Sequence, residues 1–118
     1  IASGGIGDGR GLMAAMALGA EGIEMGTRFV ATKECIHASH LYKDQLVKGN
    51  ETDTVVIKRS IGAPARALKN SWTEKILEIE KVSPTYDQLK EYISGEANKK
   101  FIYEGKHDEG FGWAGQII

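Results

Sequence analysis

The residues with the clearest chemical meaning are glycines. Gly4-Gly5-Ile6-Gly7-Asp8-Gly9 stands between an apolar triplet, Ile1-Ala2-Ser3, and a stretch with helical periodicity. A loop between a strand end and a helix start leaves backbone N–H groups unpaired, and the helix dipole there favours an anion. Without a Cβ, the backbone can approach a phosphate closely. Alone, this loop reads equally well as a tight connector that binds nothing. Two known phosphate loops do not fit it. The NTPase loop needs Gly-Lys followed by Ser or Thr, whereas Arg10-Gly11 follow Gly9. A relaxed dinucleotide fingerprint, Gly9-Arg10-Gly11-Leu12-Met13-Ala14, falls inside the helical pattern and not at the strand end.

A second element changes the weight. Gly26-Thr27 directly follows another short apolar segment, Gly22-Ile23-Glu24-Met25. Two successive strands joined by a helix are expected to be parallel, with a right-handed crossover. Both glycine turns then fall on the same sheet edge, each beside a hydroxyl residue, Ser3 or Thr27. The pair forms one anion cup, with Ser3, Gly4, Gly5, Glu24, Met25, Gly26 and Thr27 as the candidate cofactor-binding residues. A phosphate site after strands seven and eight is recurrent in (β/α)₈ enzymes.

The elements that must position this cup follow from periodicity. Asp8 is placed to N-cap a helix from Gly9 to Leu18, with Leu12, Met13, Met16, Ala17 and Ala20 as its buried stripe and Gly19 closing it. A short helical turn follows residue 29, then a polar loop near Cys35–His40 and an amphipathic helix from Leu41 to Lys48, ended by Gly49-Asn50. Thr54 to Ile57 is a β-branched strand closed by a turn at Gly62. Residues 63–82 read as one helix with Pro64 in its first turn. Further helices are expected from Ser83-Pro84 to Ile93 and from Gly95 to Tyr103, before a polar loop from Gly105 to Gly112. The shift from Gly/Ala/Met-rich to charged composition near residue 50 marks a boundary. It separates residues 1–50 from a mainly helical subdomain at 51–111, with a returning helix starting in 112–118. Ile1 without an initiator Met, and an apolar end at Trp113 to Ile118, suggest a piece of a longer protein.

Other reactive residues are less organised. Glu34, Cys35, His37 and His40 are of metal-ligating types, but no second ligand cluster accompanies them, so no metal is expected. Cys35 lacks an arrangement that would activate it as a nucleophile. Arg28 is placed to pair with Glu24 or Glu34, and Arg66 and Asn70 lie one helical turn apart, where they would hold the helical part to the rest. Trp72, Phe101, Tyr103 and Trp113 read as core or interface aromatics.

Composition sets the outer limits. With 15 Lys and Arg against 16 Asp and Glu, the formal charge is -1, which gives no broad field for nucleic acid or an anionic membrane. Any phosphate recognition must therefore be local. A single cysteine excludes an intrachain disulfide and fits a reducing, cytoplasmic setting. No apolar run approaches the roughly 18 residues of a membrane span.

The motifs resemble those of nitronate monooxygenases, formerly 2-nitropropane dioxygenases. The matching residues are Ala2-Ser3-Gly4-Gly5-Ile6, Asp8-Gly9-Arg10-Gly11, Leu18 to Gly22, Met25-Gly26-Thr27-Arg28-Phe29 and Ala31-Thr32-Lys33-Glu34. The likeness continues through Arg59-Ser60-Ile61-Gly62, Pro64 to Asn70 and Gly112 to Gln116, covering nearly the whole chain. The resemblance implies an α/β fold, the C-terminal portion of a (β/α)₈ barrel (strands seven and eight) with a mostly helical subdomain. It implies FMN as cofactor, held at the phosphate by backbone matching Gly5 and Glu24 to Thr27. It also implies oxidation of an alkyl nitronate by O₂, with a possible homo-oligomer. Glu24 departs from the more usual Gln of that family. The family's catalytic His belongs to an earlier segment, and His37, His40 and His107 do not match it, so this chain holds no catalytic residue. Flavin-dependent enoyl-ACP reductases share the same segment and supply an alternative. A second alternative is a non-catalytic piece that only binds flavin or phosphate.

Overall fold

The computed structural model describes residues 1–82 and 84–117. Its first unit runs strand, helix, strand. β1 (Ala2–Ser3) and β2 (Ile23–Glu24) pair in parallel, Ala2 opposite Ile23 and Ser3 opposite Glu24. Between them lies α1 (Gly9–Ala17). Asp8 caps it as expected, its carboxylate accepting from the backbone N–H of Arg10 at 2.9 Å and of Gly11 at 3.2 Å. Gly19 follows the helix at φ 97°, the left-handed conformation that ends it.

The expected buried stripe of α1 is not formed. Ala15 is its buried residue, Leu12 and Ala20 are half-buried, Ala17 is exposed, and Met13 and Met16 are 66% and 52% exposed. The apolar periodicity is real, but among the described residues nothing packs over that face.

Past Gly26 the chain enters α2 (Thr27–Val30), and after an irregular loop α3 (His40–Lys48), capped by Ser39. β3 (Thr54–Ile57) is the expected strand, but its partner is a correction. Residues 63–82 are not one helix. Ala65–Leu68 form β4, antiparallel to β3 with Val55 opposite Ala67 and Val56 opposite Arg66. Ala-Arg-Ala-Leu has helical propensity, and cross-strand burial against a β-branched partner overrides it. The connecting turn holds Lys58 at φ 67°, a 3₁₀ turn at Arg59–Ile61 and Gly62 at φ 71°.

α4 (Ser71–Glu80) therefore starts late, and its signal is Asn70. The Asn70 side chain accepts from Thr73 N–H at 2.9 Å while Thr73 Oγ1 accepts from Asn70 N–H at 2.9 Å, a capping box. Asn70 is buried, and its amide also donates to the Gly110 carbonyl at 3.0 Å, tying α4 to the Gly105–Gly112 loop. Arg66 and Asn70 are thus a strand residue and a helix cap, not neighbours on one helix. α5 spans Tyr86–Leu89, shorter than the helix expected to Ile93 and capped by Thr85; Ser83, its expected start, lies outside the described residues. α6 (Gly95–Ile102) is the helix expected to reach Tyr103, which caps it.

The β3–β4 hairpin separates two cores. One face packs Ile57 and Ala67 with Ile76, Leu89, Ala97 and Phe111; the other packs Leu68 with Tyr42, Leu46, Phe101 and Ala114. Residues 112–117 contain no helix, contrary to expectation, and Ile118 lies outside the described residues. The segment runs beside β4 instead: Leu68 N–H donates to the Gly112 carbonyl, Ala114 N–H donates to the Arg66 carbonyl, and Trp113 bridges to Ala67. The Leu68 N–H and the Arg66 carbonyl of β4 take this segment as their partner.

Candidate cofactor-binding site

Parallel pairing of Ser3 with Glu24 brings Gly4-Gly5 and Met25-Gly26-Thr27 out at the same edge. All seven candidate residues, Ser3, Gly4, Gly5, Glu24, Met25, Gly26 and Thr27, line one cleft of about 630 Å³. Gly4 and Gly5 have φ of 93° and 68°, a left-handed pair that side chains rarely adopt. Gly26 is different. Its φ of -108° and ψ of -65° suit any residue, and a Cβ there would meet nothing within 4 Å. No steric or backbone demand of the described residues explains a glycine at this point of the cleft wall.

The start of α1 contributes less than the sequence implies. Its first free N–H groups are already taken by Asp8, whose carboxylate also receives Arg10 Nε at 2.9 Å and Nη2 at 2.6 Å. The Arg10 side-chain hydrogen bond, then the Gly11 N–H, hold the Asp8 carboxyl below its ordinary value. The open donors thus lie at the two strand ends. Charge on the cleft wall is balanced, Arg10 and Arg28 against Asp8 and Glu24, so an anion would rely on backbone groups. The expected pairing of Arg28 with Glu24 or Glu34 is not formed among the described residues.

The sequence reading missed the cover. Gly115 N–H donates to Thr27 Oγ1 at 2.7 Å, which leaves the Thr27 hydroxyl proton free to donate elsewhere. Gln116 arches over the first turn, its Oε1 lying 3.5 Å from where a Cβ on Gly5 would stand. Gly115, Gln116 and Ile117 line the cleft together with Leu46 and Val47. Nothing local in Gly112 to Gln116 signals this contact, which spans 88 residues of sequence. The segment is pinned from below by Tyr42, whose hydroxyl donates to the Trp113 carbonyl. Burial, then the neighbouring Cys35 and Tyr103, push the Tyr42 hydroxyl up to about 12.

Cys35 and His37 line a second chamber of about 660 Å³, which shares Gly26, Thr27 and Gly115 with the cleft. His40 opens α3, and among the described residues no three His, Cys, Asp or Glu gather as a metal site. The aromatics are spread: Phe101 is buried in the second core, Trp72 donates Nε1–H to the Tyr92 carbonyl at 2.8 Å, Trp113 stacks edge-on to Phe111, and Tyr103 is exposed.

Fold and cleft together define part of an α/β protein with a cleft at the carboxyl edge of a parallel βαβ unit. The chain belongs to the nitronate monooxygenase family, whose profile matches residues 1–118. It is 42% identical over 119 aligned positions to a probable nitronate monooxygenase of Staphylococcus saprophyticus, covering 98% of this chain and 32% of that protein. A probable nitronate monooxygenase of Staphylococcus aureus is 37% identical, again across 98% of this chain and 32% of the relative. The structure of FabK from Thermotoga maritima superposes with a TM-score of 0.88 at 41% identity, covering 98% of this chain and 36% of that one. The chain spans about a third of the length of these relatives.

Proposed function

We propose that the whole protein is an FMN-dependent oxidoreductase that oxidises alkyl nitronates with O₂, and that this segment anchors the FMN phosphate. In this reading β1 and β2 are strands seven and eight of a (β/α)₈ barrel. Residues 1–50 close the barrel, and residues 51–111 cover the site.

The observation that carries the reading is Gly26, a glycine that neither its backbone angles nor its surroundings require, facing open space beside the left-handed pair Gly4-Gly5. A group that must approach the backbone accounts for it. A phosphate fits the donor set: backbone N–H at Gly5, Gly26 and Thr27, and the Thr27 hydroxyl oriented by Gly115. These dipoles are aimed before the anion arrives, so little reorganisation opposes binding. Glu24 contributes its backbone, its exposed side chain lying on the outer part of the wall. When bound, the flavin supplies the two-electron redox chemistry. Gly115 and Gln116 cover the phosphate end and restrict water there.

The likeness to FabK favours, as a second reading, a flavin-dependent enoyl-ACP reductase built on the same segment. Purified full-length protein separates the two. Nitronate-dependent O₂ uptake without NADH-dependent reduction of a crotonyl thioester is the expected result; the reverse pattern overturns the primary reading. A full-length protein that retains flavin but does neither leaves only the binding function.

A further inference from the structure

We infer that the Gln116 carboxamide is a side-chain donor to the anion in the first cleft, a clasp that closes over the phosphate and slows its departure. The assignment rests on the flavin-phosphate reading and adds a residue to it. The backbone around Gln116 is held on both sides. Gly115 N–H donates to Thr27 Oγ1 at 2.7 Å. Ile117 packs against the second core, its Cδ1 standing 2.8 Å from where a Cβ on Gly49 would be. Further back, Gly112 is seated so closely that a Cβ there would come within 2.6 Å of Tyr42 and 2.9 Å of Phe101. Ala114 N–H donates to the Arg66 carbonyl at 3.2 Å. A segment fixed at so many points presents its one outward side chain from a set place.

That side chain is Gln116. It is exposed and lines the cleft, with Oε1 3.5 Å from the position a Cβ on Gly5 would take. A carboxamide carries two N–H donors and a carbonyl, and a half-turn about its last bond exchanges them, so it can offer donors to an anion seated at Gly5. The charges on the cleft wall balance, and a neutral amide adds a charge-assisted hydrogen bond without bringing another ion into the cleft. An exposed side chain can stand aside while the ligand enters and close afterwards. Its effect therefore falls on dissociation, as for most single contacts at a binding site.

The test uses full-length apoprotein, with FMN and riboflavin binding followed by flavin fluorescence and their release by stopped flow. Gln116→Ala should weaken FMN binding by roughly 5- to 20-fold, chiefly through faster release. Gln116→Glu keeps the shape but sets a carboxylate against the phosphate, and should weaken FMN by at least about 50-fold. For both variants riboflavin affinity should stay within about twofold of the parent, and the apoprotein Tm within about 2 °C, because the side chain is exposed. The assignment is overturned if Gln116→Glu binds FMN within about twofold of the parent, or if it weakens both flavins alike. A parent that prefers FMN to riboflavin, with both variants keeping that preference, overturns the clasp alone. A parent that binds FMN no more tightly than riboflavin overturns the phosphate reading itself and the clasp with it.

Discussion

Gly5 and Gly26 make different demands on the chain, and substitution separates them. Alanine at Gly5 meets a φ of 68°, so it strains the fold by about 1 kcal/mol, although its Cβ would stand at an ordinary contact distance of 3.5 Å from Gln116. Alanine or valine at Gly26 costs the backbone little, since its angles are ordinary and the space is empty. Thermal unfolding of the apoprotein should show Gly5→Ala lowered and Gly26→Ala near the parent; equal losses would contradict the distinction. Tyr42 gives a second residue-scale prediction. Its hydroxyl is pushed up from 10.0 to about 12 by burial. The unfolded chain therefore releases that proton first, and the native state loses stability as pH rises from about 10 to 12, by on the order of 2 kcal/mol. Tyr42→Phe should flatten that alkaline slope, and an unchanged slope would rule the residue out as its source. At this scale the two glycine turns on one sheet edge were legible in the sequence because glycine after a strand is a local signal. Gly115 and Gln116 were not, because their contact depends on the path of the chain.

The hairpin turn is organised by one carboxylate on a neighbouring helix. Partial burial would raise the Glu80 carboxyl, but the Ser60 hydroxyl at 2.7 Å, with the N–H groups of Ser60 at 2.9 Å and Lys58 at 2.7 Å, lowers it below its ordinary value. A carboxylate with a depressed folded value stabilises above its unfolded value of 4.5, and the gain is lost as pH falls through the folded one. Glu80→Gln should therefore narrow the difference in Tm between neutral and strongly acidic pH; an unchanged difference would remove Glu80 from the acid response. Asn70→Ala should cost about 1–3 kcal/mol, since it removes both the α4 cap and the tie to Gly110. The same elements show where sequence reading stops. Thr54 to Ile57 announced a strand by its β-branched run, but Ala65–Leu68 carries a helix former's composition. Only the long-range pairing in register with Thr54 to Ile57 decides its state. Asn70 and Thr73 were the available sign that a helix begins after, and not before, that segment.

For the whole molecule, the parallel pair is two residues wide and two strands deep, and α1 leaves Met13, Met16 and Leu18 exposed. Such a unit needs further strands and a covering layer to be stable alone. The 118-residue chain expressed by itself should self-associate, which sedimentation velocity would show as species larger than one chain; a stable monomer would contradict the assignment of β1 and β2 to a larger barrel. The central claim is narrower, that two adjacent strand ends hold a flavin phosphate, and comparing FMN with riboflavin tests it because riboflavin lacks only that group. In full-length apoprotein, Gly26→Val should weaken FMN binding by at least about tenfold and leave riboflavin binding within about twofold of the parent. Equal weakening of both flavins, or none of either, would contradict the account.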